Sequence, residues 1–317
     1  MTGLEIRVPR PEDEGALQAA AALLGCARTA AERAWLASHA GASRARVALV
    51  PEDGRVLGHY ACVPRTTWIA AREAVFAEVL DAFAPRAEAR GLQREGPYAR
   101  LGRALAQAHS EDLVHHGYFG RAEWRMANAL LDFEVVRNQC LLVRSSADAG
   151  APALEELVRF DHQAKWLWER CSGRFGAAAI RDEGYLNWRF VERPGVRYQR
   201  RGLRDANGIL RGLYVYRSGA FAGRSGGWLV EWIVPPEEPE VGERLLGDAL
   251  AAARADGQRE LACALPEWSP WFEAFQRAGF RVVASEAVLA ARCFARKYDE
   301  VWLRDHWWTT LADTLAL

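Results

Sequence analysis

A G-x-x-x-G-x-Y pattern that occurs twice limits the fold of this chain more than any other feature. Gly54, Gly58 and Tyr60 in EDGRVLGHY return as Gly208, Gly212 and Tyr214 in ANGILRGLY, 154 residues on. Two more anchors follow in the same order. LGRALAQA at 101–108 returns as LGDALAAA at 246–253, and Trp124 with Phe133 returns as Trp271 with Phe280, nine residues apart in both places. Three anchors in one order indicate a duplicated unit. The chain has 317 residues, half of them hydrophobic, which is enough apolar material for two cores. The polar connector SSADAGAP at 145–152 falls where the halves should meet, so domains are expected at 1–146 and 147–317, the second with a Trp-rich tail.

Both halves carry the same succession of elements. RVALV, the turn PEDG and VLGHYACV predict a hairpin, because Asp-Gly between β-rich runs favours a tight turn. The apolar run 74–84 predicts a buried central strand, and YARLGRALAQAH places Leu101, Leu105 and Ala108 at helical spacing. DLVHHGY then predicts a strand, RAEWRMANALL a helix, and FEVVRNQCLLV two closing strands. In the second half a hairpin leads to a central strand at 228–234, a helix over EVGERLLGDALAAARADG, then strand, helix and strand.

Charge and composition exclude several classes. Forty-one basic residues balance forty-one acidic ones, so no net field recruits nucleic acid or an anionic membrane. No apolar run approaches the ~20 residues of a membrane span, and the N-terminus lacks the cationic start and apolar stretch of a secretory signal, so the cytoplasm is the expected compartment. Six scattered cysteines without C-x-x-C are expected to be reduced, and seven histidines without ligand spacing predict no metal site.

A hairpin meander, a central strand leading into a helix, then strand, helix and closing strand resembles the Gcn5-related N-acetyltransferase (GNAT) superfamily. The segments GRVLGHYACVPRTTWI, AVFAEVLDAFAP and GPYARLGRAL carry the resemblance in the first half, and YLNWRF, PGVRY and WLRDHWWTTLADT carry it in the second. It implies an α/β chain of two tandem GNAT-like domains, each a mostly antiparallel mixed sheet flanked by helices. The implied activity is transfer of an acetyl or acyl group from coenzyme A to a small-molecule amine, with acetyl-CoA or another acyl-CoA as co-substrate. An acyl carrier protein as donor, and a noncatalytic binding protein, are the alternatives; nucleic acid and membrane are not expected partners.

In that superfamily an R-x-x-G-x-G/A loop between central strand and helix holds the pyrophosphate on backbone N–H groups. The corresponding stretch here is PRAEARGLQREGPYARL, with Arg90, Gly91, Arg94, Gly96 and Tyr98 as candidate cofactor-binding residues and Pro97 at the helix start. The second half offers VPPEEPEVGERLL, where Glu237, Glu238 and Glu240 would meet a polyphosphate, so binding is expected in the first half alone. Acyl transfer needs a base for the amine and an acid for the thiolate. The resemblance assigns the acid to Tyr118, after the strand that follows the central one, and the base to Asp81 or to His115 or His116. Glu78 and Asp81, three residues apart on a strand, are expected on opposite faces, as are the two adjacent histidines. Among thirteen tryptophans, the adjacent Trp307 and Trp308 are expected to anchor the tail by packing, with the lining of a substrate groove as the alternative.

Overall fold

The computed structural model describes residues 4–39, 44–84 and 94–317. They form two compact units, and neither unit is one continuous stretch. The first comprises Met1–Thr66, Ala74–Val136 and Val288–Glu300; the second comprises Thr67–Glu73, Arg137–Ala287 and Val301–Leu317.

The first unit opens with strand β1 (Glu5–Arg7), helices α1 (Glu14–Leu23) and α2 (Ala30–Ala37), and strands β2 (Arg44–Leu49), β3 (Val56–Ile69) and β4 (Arg72–Phe83). Helix α3 (Pro97–Ala108), β5 (Val114–Phe119) and α4 (Arg121–Leu131) follow. Residues 134–145, expected to give two strands, form the single strand β6 (Glu134–Ser145), because neither Gly nor Pro interrupts the run. The second unit continues with β7 (Glu155–Glu156), α5 (His162–Ser172), β8 (Ala177–Ala179), α6 (Glu183–Phe190), β9 (Gln199–Arg204), β10 (Leu210–Phe221) and β11 (Arg224–Ile233). After these come α7 (Pro239–Ala255), β12 (Glu260–Cys263), α8 (Pro270–Arg277), β13 (Arg281–Cys293), α9 (Glu300–His306) and β14 (Trp307–Trp308).

The sheets share one plan. In the first unit β1, β2 and β3 pair antiparallel, β4 lies beside β3, β4 pairs parallel with β5, and β5 pairs antiparallel with Val288–Cys293 of β13. In the second, β7, β9, β10 and β11 pair antiparallel, β11 pairs parallel with β12, and β12 pairs antiparallel with 142–145 of β6. A helix covers each parallel crossover, as such a connection requires. The strand beside β5 thus comes from late in the sequence, and the strand beside β12 from its middle.

The repeated residues do the same work in both units. Gly54 and Gly208 have φ of 67° and 78° in the turns before β3 and β10, where a side chain would be strained. Gly58 and Gly212 let the crossover helix come close. A Cβ on Gly58 would lie 2.9 Å from Leu101, and one on Gly212 would lie 2.6 Å from Leu245. The sequence alignment pairs Leu101 with Leu246, so the helices differ from it by one residue in register. Tyr60 and Tyr214 are fully buried beneath those helices, and Phe133 and Phe280 are buried after α4 and α8. The tail is buried too. Trp307 and Trp308 pair with Ala177 and Ala178, Trp308 stacks on Phe175 at 4.6 Å, and Tyr185 donates to the Ala312 carbonyl.

Candidate functional site

Strand β4 carries the feature that shapes the first unit's site. Its recorded pairing with β5 runs from Phe76–Val114 to Glu78–His116, and three residues further on Asp81 adopts a left-handed backbone with φ 54°. A non-glycine residue in this region breaks the two-residue alternation of a strand and bends it. Glu78 and Asp81 therefore do not take opposite faces, contrary to the expectation from spacing. Ala77 belongs to the core under α3 and α4, so Glu78 points to the opposite face, where the buried Arg65 guanidinium donates to it. Asp81 lines a cavity under α1 and α2.

Alternation also sorts the β5 residues. His115 lies opposite Ala77 and Gly117 opposite Ala290, both positions of the α3 and α4 core. His116 and Tyr118 accordingly face the other side, the one α1 and α2 cover. His115 is a tied residue. Its Nε2 lies 3.0 Å from Asp112 Oδ2, Arg44 donates to the other carboxylate oxygen at 2.5 Å, and Phe294 meets the ring edge-on at 5.0 Å. Burial alone would raise the Asp112 pKa, but the bonds from His115 and Arg44 outweigh it and hold the carboxyl below its ordinary value. His116 is buried and Tyr118 half-buried.

Asp81 is tied as well. Arg28 donates from Nε and Nη2 to the two carboxylate oxygens at 2.7 and 2.9 Å, a bidentate pair. The Asp81 backbone carbonyl lies 2.8 Å from Nδ1 of His59, on β3. His59 fills the variable position between Gly58 and Tyr60 of the repeated motif, where Leu213 stands in the second half, and was not singled out by the sequence. It sits opposite Val47, which packs with Leu17 of α1, so its ring is on the α1 and α2 face. The cavity there has a volume of about 320 Å³, and His59, Asp81, Leu80, Phe83 and Cys26 contribute to its walls. Burial lowers the His59 pKa below its ordinary value, against the raising effect of Asp81, and burial raises the Cys26 thiol.

Of the candidate cofactor residues, Arg90 and Gly91 lie outside the described residues. Gly96 is the N-cap of α3, with extended backbone and no side chain to accept from the first turn; Pro97 occupies the first helical position, and the first turn has no acid. The next N–H groups, of Tyr98 and Ala99, are the ordinary unsatisfied donors of a helix start. Arg94 is exposed just before this terminus, and its carbonyl accepts from Arg103. The Tyr98 side chain joins the core, edge-on to Tyr60 at 5.6 Å, and its phenol is pushed up by burial.

The corresponding place in the second unit is filled from within. Glu238 is the N-cap of α7, and its carboxylate is bound by Arg170 and by Arg211, whose Nε lies at 3.0 Å. The Trp271 indole presses on Gly242 and donates to the Val234 carbonyl at 3.0 Å. Deeper in that unit Arg181, fully buried, donates to Glu231 at 2.5 Å and Asp313 at 2.7 Å. Among the described residues no group of three His, Cys, Asp or Glu could hold a metal, and no helix is long and apolar enough to cross a membrane. All six cysteines are free thiols.

No protein-family model matches the sequence, and no curated protein matches it significantly. Solved structures do match. Saccharomyces cerevisiae N-myristoyltransferase with bound myristoyl-CoA is similar over 92% of this chain and 80% of its own, with a TM-score of 0.63 and 10% identity. A GCN5-related N-acetyltransferase from Anabaena variabilis is similar over 92% of this chain and 73% of its own, at 0.63 and 12%. A conserved protein of unknown function from Enterococcus faecalis has the same coverage and TM-score at 14% identity. The chain therefore has the GNAT fold, as two units of mixed sheet flanked by helices.

Proposed function

We propose that this chain is an N-acyltransferase that takes an acyl group from a coenzyme A thioester and places it on a small-molecule amine, with the chemistry in the first unit. The contrast between the two crossover helices carries this reading. The start of α3 has a glycine N-cap, no acid in its first turn and Arg94 beside it, which suits a pyrophosphate; the start of α7 is occupied by Glu238 and Trp271. Myristoyl-CoA bound to the yeast neighbour on the same fold supports the choice of donor. On this reading β4 and β5, parting beyond Glu78 and His116, receive the pantetheine arm, and the thioester meets Tyr118 on the α1 and α2 face.

Each chain residue then has a task. The α3 N–H groups and Arg94 hold the phosphates. The Tyr118 hydroxyl gives its proton to the departing thiolate, while Arg28 and Asp81 keep the β4 bend in shape.

Calorimetric titration with acetyl-CoA tests the donor. Binding in the micromolar range is expected, with at least a tenfold loss in Arg94→Glu and little change in Glu238→Gln. Equal sensitivity to both changes would contradict the assignment to the first unit. Absence of binding at millimolar ligand would favour a noncatalytic chain or a carrier-protein donor.

A further inference from the structure

We infer that the cavity under α1 and α2 seats the acceptor, a small primary amine with an apolar body, and that His59 Nε2 takes the proton from that amine. This rests on the acyl-transfer reading and adds to it the base and the acceptor class.

The geometry selects His59 over the carboxylates. A carbonyl oxygen can only accept, so the 2.8 Å contact with the Asp81 carbonyl puts the imidazole proton on Nδ1 and leaves a lone pair on Nε2. The left-handed backbone of Asp81 makes this contact possible: a regular strand residue aims its carbonyl at the neighbouring strand, not out of the sheet face where the His59 ring lies. The carboxylates nearby are committed elsewhere, Asp81 to Arg28 and Glu78 to Arg65. Asp81 is thus a positioning residue. His59 also lies on the sheet face that Tyr118 shares.

The walls define the acceptor. Leu17, Leu36, Leu80 and Phe83 are apolar, and the two arginines present are already matched, Arg28 by Asp81 and Arg33 by Glu14 at 2.5 Å. A cavity without excess charge does not favour a phosphorylated or polycationic acceptor, and about 320 Å³ is at the lower end of small-molecule sites. In the reaction the ammonium gives one proton to Nε2, and the freed nitrogen lone pair forms the C–N bond at the thioester carbonyl. The C–S bond then breaks, its electron pair leaves with sulfur, and sulfur takes the Tyr118 proton. The second amine proton restores Tyr118, and His59 releases its own to water.

The titratable groups that share the cavity wall with His59 are Glu14 from α1, Cys26 and Arg28 from the connection to α2, Arg33 from α2, and Asp81 from β4. Burial is the largest influence among them and lowers the His59 pKa. Turnover should therefore fall on the acid side with an apparent pKa below 6.5.

The test uses the full chain with ¹⁵N-labelled histidine and 2-phenylethylamine as probe. The His59 signals, identified by their loss in His59→Gln, should show Nδ1 protonated and Nε2 bare, and should shift with the amine at millimolar concentration. Leu17→Trp, which fills the cavity, should abolish the shift while keeping acetyl-CoA affinity. With acetyl-CoA present, His59→Gln should lower turnover of the amine roughly 10²-fold without changing donor affinity, and should remove the acid limb. A proton on Nε2, a His59 signal indifferent to the amine, or unchanged turnover in His59→Gln would overturn the proposal. Failure of the donor reading appears separately, as loss of acetyl-CoA binding.

Discussion

Two residues on the covered face of the first sheet, Tyr118 and His59, respond to different experiments. Tyr118→Phe removes one oxygen and should reduce turnover by roughly 10²-fold with unchanged donor affinity, measured by single-turnover kinetics and calorimetry. Full activity in this variant would move the acid elsewhere. His59 also links pH to stability. Burial depresses its folded pKa, so the unfolded chain takes up the proton first as pH falls. Its contribution is complete above about 6.5, the ordinary imidazole value, and is lost as pH falls through the lower folded value. Thermal melts of the native chain should therefore lose more between neutral and mildly acidic pH than those of His59→Gln. Magnitudes separate the ion pairs in the same way. Asp313→Ala leaves the fully buried Arg181 with one carboxylate partner fewer and should destabilise by about 3–5 kcal/mol in urea unfolding. Glu273→Ala breaks the exposed pair with Arg277 and should change stability by less than about 0.5 kcal/mol.

At the level of elements, the glycines that mark the repeat distinguish turn strain from close packing. Gly54→Ala places a side chain at φ 67° in open space, so roughly 1–2 kcal/mol should be lost through the backbone alone, with no effect on donor binding. Gly58→Ala pushes on Leu101 and on the Phe83 carbonyl, 3.1 Å away, and should weaken acetyl-CoA binding by displacing the start of α3. Comparing stability and affinity in the two variants checks both statements. The repeat was legible because Gly54 and Gly208 hold a left-handed turn and Gly58 and Gly212 a close helix contact, both local demands that only glycine meets. The hairpins, the crossover helices and the buried Trp-rich tail were legible for similar reasons, since turn chemistry and helical spacing are local. His59 was not. Its tautomer depends on a carbonyl 22 residues away, and on a left-handed Asp81 that nothing in LDAF announces. The one-residue register difference between α3 and α7 was also hidden, because LGRALAQA and LGDALAAA align by identity while Leu101 and Leu245 align by contact.

For the molecule as a whole, the interleaved membership of the units bears on every truncation. The sequence suggested 1–146 and 147–317, and strand pairing at such separations leaves no local mark that could have suggested otherwise. A fragment ending at residue 146 would lack Val288–Cys293, which pairs with β5, and would expose that strand's edge. Sedimentation of such a fragment should show aggregates, and joint expression with 147–317 should reduce them. The same pairing sets a schedule during synthesis. A ribosome adding about 5–20 residues per second completes β5 roughly 10–35 s before its partner segment in β13 has been made. During that interval the candidate site exists on a nascent sheet with an open edge, so the part of the chain translated first is among the last to be finished, and a cell making this protein must shield it until the late strand arrives.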